Sequence, residues 1–100
     1  MEKRKPHYDL ASIKATFVTV ETLRMTKTAH DCALALGLLL QDVVDLIQEM
    51  KREQFYKSMT SKANVALWQD VYHVPWGDIA LYVKFTTDAE GYLVLSLKEK

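Results

Sequence analysis

The chain has 100 residues, of which 49% are hydrophobic and 26% charged, and its 13 basic and 13 acidic side chains leave no net charge. This composition argues against disorder, and the length predicts one domain spanning residues 1–100. The single cysteine excludes an internal disulfide, and the apolar run 33–40 is far shorter than the roughly 20 residues of a membrane helix. The charged N-terminus lacks the pattern of a secretory signal, so a soluble, cytoplasmic protein is expected.

Charge is unevenly distributed along the chain. Residues 1–27 carry six basic and three acidic side chains, whereas residues 28–50 carry four acidic side chains and no lysine or arginine. A dipolar surface of this kind can present a positive face in a protein without net charge. Ordinary solvated helix faces would give the same pattern.

The first predicted element is a helix that Asp9 caps and that runs to about Glu21. Its apolar stripe has the spacing of one helix face and consists of Leu10, Ile13, Phe17 and Val18. The weak helix formers in this segment leave its end uncertain. Residues 23–25 follow as a possible short edge strand.

Two further helices are predicted before the middle of the chain. Thr26 or Thr28 caps the second helix, and Gly37 ends it, because glycine is common just after a helix C-terminus. The third helix runs from residue 40 or 41 to about residue 51, with apolar residues at helical spacing.

The second half of the chain has the composition of strands. The turns between the strands are expected at SKAN, PWGD and TDAEG, and connections this short make neighbouring strands antiparallel. The sequence therefore predicts an α+β fold, in which about three helices pack on one face of an antiparallel sheet. The strand-like runs are residues 54–60, 65–73, 79–87 and 92–98.

Alternation along the last two strands predicts one apolar and one polar face. The polar face would carry Tyr82, Lys84, Ser96 and Lys98. Ammonium groups beside a phenol suit a phosphate, and aromatic rings beside cations suit a nucleotide base. A solvated sheet face with lysines that block aggregation would have the same residues.

The first two strands do not alternate cleanly. A regular pleat would turn Lys57 and Gln69 toward the apolar side, together with Phe55 and Met59. Alternatively, the inward set consists of Tyr56, Trp68, Asp70 and Tyr72, and a bulge or a partly uncovered sheet would resolve the conflict. The sequence leaves both possibilities open. Cys32 and the histidines lack the spacing of a metal site, so no metal is predicted.

Several segments of the chain match a known family. FYKSMT, WQDVY, LYVK and SLKEK, with the opening MEKRKPH, resemble the MqsR family of toxin–antitoxin toxins. Their order and spacing agree along almost the whole chain, apart from a misfit of about one residue near TDAEG. The resemblance implies a single RelE-like domain that cuts mRNA at GC-containing sites without a cofactor or metal. It further implies inhibition of translation and growth, a link to persistence and biofilms, and neutralisation by an MqsA-type antitoxin.

The resemblance also implies site residues. The proposed catalytic residues of the family fall on Lys57, Gln69, Tyr82 and Lys98, and contacts to RNA are expected from Tyr56, His73 and Lys84. His73 stands where the family commonly has an arginine, and it is either an acid or base or a simple surface residue. A protein of this fold that only binds a partner, without catalysis, is the competing hypothesis.

Overall fold

The structure is a computed structural model that describes residues 1–61 and 66–100. Within these residues three α-helices pack against a five-stranded antiparallel sheet whose strands follow chain order, which confirms the predicted α+β class. The helices are α1 (Leu10–Thr16), α2 (Lys27–Ala35) and α3 (Leu40–Gln48). The strands are β1 (Glu2–Lys3), β2 (Phe55–Thr60), β3 (Trp68–Trp76), β4 (Ile79–Thr87) and β5 (Leu93–Glu99).

Helix α1 begins as predicted but ends early. Asp9 accepts a hydrogen bond at 3.1 Å from the amide three residues further on, which caps the helix. The helix ends at Thr16, and the chain re-forms only a short 3₁₀ turn at Val20–Thr22. The prediction of a helix to Glu21 is therefore wrong, since the β-branched residues of this segment are poor helix formers. Val18, expected in the apolar stripe, is 52% exposed.

Helix α2 carries the predicted end signals. The Thr26 side chain accepts from the Ala29 amide at 3.1 Å and caps α2. Gly37 follows the helix with φ of 78°, and the Leu38 amide donates to the Ala33 carbonyl at 2.8 Å. This is a Schellman ending, which glycine adopts without the strain of a side chain. Helix α3 stops earlier than predicted.

The possible strand at residues 23–25 is reduced to a single bridge. Met25 lies parallel to Leu95 of β5. The Leu95 amide donates to the Arg24 carbonyl at 2.8 Å, and the Thr26 amide donates to the Leu95 carbonyl at 3.1 Å. The segment therefore closes the outer side of β5 without forming a strand.

The helices and one face of the sheet share a single apolar core. Tyr72, Phe17 and Phe85 are its largest fully buried side chains, and Tyr72 and Phe85 meet edge to face at 5.9 Å. Each helix contributes the apolar residues of one face to this core. Its other buried members include Ile13, Ala29, Ala33, Val43, Leu46, Ile47, Met50, Val74, Leu81, Val83, Leu95 and Leu97.

The alternation predicted for the last two strands is confirmed. Leu81, Val83 and Phe85 are buried, as are Leu95 and Leu97, while the residues between them face away from the helices. The PWGD and TDAEG turns lie where expected. The predicted SKAN turn and the predicted start of β3 at residue 65 fall largely outside the described residues.

Strand β3 continues further than predicted, through Pro75 to Trp76. The pairing of β3 with β2 ends at Tyr72, so β3 has no β2 residue beside it at Pro75. Proline lacks an amide hydrogen, and at this position its absence removes no hydrogen bond to β2. On its other side Pro75 lies opposite Ala80. Gly77 then takes φ of 59° in the two-residue turn to β4.

A bulge in β2 resolves the ambiguous alternation of the first two strands. The register shifts between Phe55, which lies opposite Tyr72, and Lys57, which lies opposite Val71. The extra residue is Tyr56, so Phe55 packs on the core while Lys57 faces the other side. In β3 the inward residues are Asp70, Tyr72 and Val74.

Candidate active site

Three lysines meet on the sheet face that the helices leave uncovered. Tyr82 lies opposite Lys98, and Lys84 lies opposite Ser96. On the other side of β4, Lys84 pairs with Val71, whose other neighbour is Lys57. A shallow open pocket of about 280 Å³ lies between these strands. It is lined by Tyr56, Lys57, Met59, Val71, Tyr82, Lys84 and Lys98.

Lys57 is held at this pocket by a carboxylate from the start of the chain. Its Nζ donates to Glu2 Oε2 at 3.0 Å, and it lies 5.3 Å from the centre of the Tyr56 ring. The side chain of Lys57 is only 21% exposed, compared with 53% for Glu2. The hydrogen bond and the charge of Lys57 lower the pKa of Glu2, so the ion pair persists at neutral pH. An ammonium group has three donors, which leaves Lys57 free to bind a phosphate as well.

Aromatic rings cross the same face. The Tyr56 and His73 rings stack at 4.4 Å between centroids, and His73 meets Tyr82 edge to face at 4.9 Å. Burial, with a smaller contribution from Lys100, lowers the pKa of His73, which favours the neutral imidazole near pH 7. Its Nε2 atom is buried and finds no hydrogen-bond partner among the described residues. His73 therefore supports two tyrosines, of which Tyr56 is 41% exposed.

The remaining two lysines differ in their surroundings. Lys98 is exposed, and its Nζ lies 5.7 Å from the centre of the Tyr82 ring. Lys84 is half-buried beside Val71 in the middle of the sheet. Burial, followed by repulsion from Lys98, lowers the pKa of Lys84. The face thus combines cations, a phenol and aromatic rings around one concave surface, which is chemistry suited to a phosphodiester flanked by bases.

The chain resembles known proteins along almost its whole length. A family described as "motility quorum-sensing regulator, toxin of MqsA" matches residues 5–99. The chain belongs to the MqsR family. It is also 36% identical, over the full length of both chains, to the mRNA interferase toxin MqsR of Escherichia coli. The resemblance inferred from the short segments is confirmed.

The residues that the family resemblance suggests as catalytic do not all line the same pocket. Lys57, Tyr82 and Lys98 do, as does Lys84, which has no counterpart among the family's proposed catalytic residues. Gln69 lies opposite Met59 and lines a neighbouring depression of about 340 Å³ that also includes Thr86. Met59 borders both depressions. Gln69 therefore lies beside the lysine pocket and not in it.

The sequence did not predict that the N-terminal segment of this MqsR-family chain packs beside the site. The amides of His7 and Tyr8 donate to the buried Asp70 carboxylate at 3.0 and 2.9 Å, and the Ser58 hydroxyl donates to it at 2.6 Å. Lys3 Nζ lies 4.2 Å from the centre of the Trp68 ring. These contacts fix the position of Glu2. The one available signal was Asp70 itself, whose place on the inward side of β3 requires donors from elsewhere in the chain.

A larger depression of about 680 Å³ lies on the opposite side of β3, beside α3. Its charged lining consists of three carboxylates, Asp42, Asp45 and Glu49, and one lysine, Lys51. Its carboxylates would repel a phosphate, so the lysine face is the candidate active site of this MqsR-family protein. Within the described parts of the chain, no helix is long and apolar enough to cross a membrane.

Proposed function

We propose that this MqsR-family toxin, an endoribonuclease of the mRNA interferase class, binds mRNA on the uncovered sheet face and cuts it without a metal ion. The observation that supports the proposal is the pocket shared by Lys57, Tyr82, Lys84 and Lys98. RNA carries its own nucleophile, the 2′-OH, so the protein needs only to align it and to manage protons and charge. Ammonium groups placed at the phosphate supply the positive charge that a metal ion would otherwise provide.

The roles of the residues follow from their positions. Lys57 and Lys98 flank the pocket on β2 and β5 and stabilise the extra negative charge on the phosphorane. The Tyr82 phenol lies between them and protonates the leaving 5′-oxygen. The products are an RNA with a 2′,3′-cyclic phosphate, which hydrolyses to a 3′-phosphate, and an RNA with a 5′-OH.

The neighbouring residues bind the nucleotides around the cut. Tyr56 and the His73 ring stacked on it provide a surface for an adjacent base. Gln69, in the next depression, orients the nucleotide by hydrogen bonds to its base. The cleavage sites contain G and C, and cleavage in the cytoplasm stops translation and growth, with consequences for persistence and biofilm formation.

A cognate antitoxin of the MqsA type is the proposed protein partner. The family description names such a partner, and the chain has separate basic and acidic surfaces that a complementary protein can recognise. Binding of the antitoxin neutralises the toxin.

Cleavage is expected to continue in EDTA, because the lysine face supplies the positive charge at the phosphate. Purified protein should cut a defined mRNA equally well with EDTA and with added Mg²⁺. Mapping of the 5′ ends should show recurrent sites bearing 5′-OH groups. Activity that disappears in EDTA and returns with Mg²⁺ or Zn²⁺ would refute the metal-independent mechanism. Intact RNA under all conditions would favour the non-catalytic binding protein.

Co-expression with a cognate MqsA-type antitoxin is expected to restore growth that the toxin alone arrests. The two proteins should co-purify, and excess antitoxin should stop RNA cleavage in vitro because the complex removes the toxin from its substrate. A toxin that remains fully active with the antitoxin in excess would contradict the proposed partner.

A further inference from the structure

Lys84 occupies the centre of the lysine pocket. It lies on β4 between Val71 of β3 and Ser96 of β5, so its side chain rises from the middle of the sheet. Lys57 and Lys98 stand on the flanking strands β2 and β5. A phosphate held between these two cations would therefore lie over Lys84.

The three lysines differ in what stabilises their charge. Lys57 is paired with Glu2 at 3.0 Å, and Lys98 lies over the Tyr82 ring at 5.7 Å. In the described residues Lys84 has neither a carboxylate partner nor an aromatic ring beneath its ammonium group. It is also half-buried, while Lys98 is exposed. Of the three, Lys84 is therefore the lysine whose positive charge the described surroundings support least.

We propose that Lys84 is a catalytic residue whose uncharged amine accepts the proton of the attacking 2′-OH. This inference rests on the proposed function, since it assigns the general base of the same reaction. It gives Lys84 a role beyond binding RNA. Lys57 is unsuited to this role because its Nζ is held by the Glu2 carboxylate, and the Nε2 atom of His73 is buried.

The reaction balances with Lys84 as base and Tyr82 as acid. The 2′-O–H bond breaks and its proton moves to Lys84 Nζ, while the oxygen forms a bond to phosphorus. The P–O5′ bond then breaks, and the 5′-oxygen keeps the electron pair and takes the proton of the Tyr82 phenol. Attack and departure occur on opposite sides of phosphorus, so base and acid must be separate groups. Lys84 and Tyr82 lie on one face of β4, roughly 7 Å apart along the strand.

The electrostatic surroundings of Lys84 favour the uncharged amine. Burial and the charge of Lys98 hold the pKa of Lys84 below its ordinary value of 10.5. The reactive form is the deprotonated one, so the rate should rise with pH and level off above the pKa of Lys84. The titratable groups that face it from the surrounding strands are Tyr56 and Lys57 of β2, His73 of β3, Tyr82 of β4 itself and Lys98 of β5.

The test compares Lys84→Arg with Lys84→Ala in single-turnover cleavage across the pH range. Arginine keeps the positive charge but does not release its proton, so it separates a base from a simple phosphate-binding cation. We expect both variants to lose about 10²-fold or more in rate and to lose the wild-type rise with pH. Lys84→Arg should still bind an uncleavable RNA with a 2′-deoxy scissile nucleotide as wild type does. Lys27→Arg, at an 89% exposed site on α2, is the control.

A second measurement, chemical rescue by an added amine, distinguishes the loss of a base from a folding defect. Methylamine should restore cleavage by Lys84→Ala in proportion to its free-base concentration, and guanidinium should not. Near wild-type cleavage by Lys84→Arg would overturn the inference while leaving the proposed function intact. Failure of amines to restore folded Lys84→Ala would also overturn it. Absence of cleavage by the wild-type protein would overturn both the inference and the proposed function.

Discussion

Replacement of Lys57 by alanine is expected to lower the rate of RNA cleavage by about 10²-fold or more, with little change in melting temperature. The ammonium group faces developing negative charge only in the transition state, so its loss affects the rate. Its ion pair with the half-exposed Glu2 contributes little to the free energy of unfolding. Lys98→Ala should behave in the same way, since Lys98 is exposed on β5.

The measurement is single-turnover cleavage of a defined RNA by variants whose folding is verified by circular dichroism. Lys27→Ala is the matched control, because it removes the same charge at an 89% exposed site on α2. It should cleave RNA as wild type does. Wild-type rates for both Lys57→Ala and Lys98→Ala would remove these lysines from the mechanism.

Replacement of Asp70 by alanine is expected to destabilise the protein by about 3 kcal/mol. The carboxylate is fully buried and accepts from the His7 and Tyr8 amides and from the Ser58 hydroxyl. Its removal leaves these donors without their acceptor. A buried donor left without its acceptor costs about 1–3 kcal/mol, so three such donors together outweigh ordinary surface effects.

Denaturant unfolding of the variants tests this expectation. Asp70→Asn should destabilise less than Asp70→Ala, because its carbonyl can accept from both amides while its NH₂ group donates to the Ser58 oxygen. Asp31→Ala is the control, since within residues 1–61 and 66–100 Asp31 forms only an exposed pair with Lys27, and its loss should change stability by less than about 0.5 kcal/mol. A loss of that small size in Asp70→Ala would show that the N-terminal segment is not held by this carboxylate.

The regular strands were predictable from sequence. In β4 and β5 the inward positions are apolar up to the last residue of each strand and the outward positions are mixed, so alternation alone placed Tyr82, Lys84 and Lys98 on one face. The Asp9 cap and the Gly37 ending were predictable for a similar reason, because both are short-range signals. The assignment of catalytic roles to residues came from the family resemblance.

The unpredicted features depend on contacts between distant parts of the chain. The bulge at Tyr56 is set by pairing with β3. In a regular strand without the bulge, Lys57 would point to the same side as Phe55, toward the core. Strand β1 is too short and too charged to be recognised, and it exists because it pairs with Met59 and Ser58. The Glu2–Lys57 ion pair spans a separation of 55 residues, which no local pattern reveals.

That separation has a consequence for the order of folding. The β3–β4 hairpin closes through a two-residue turn, and β4–β5 through a short loop, so both form without a large loss of chain entropy. Joining β1 to β2 closes a much longer loop for a strand of two residues. Strands β2 to β5 should therefore assemble first, before Glu2 reaches Lys57. Strand β1 should be the last strand to dock and the first to detach. Each detachment would release Lys57 from Glu2 while the rest of the sheet remains folded.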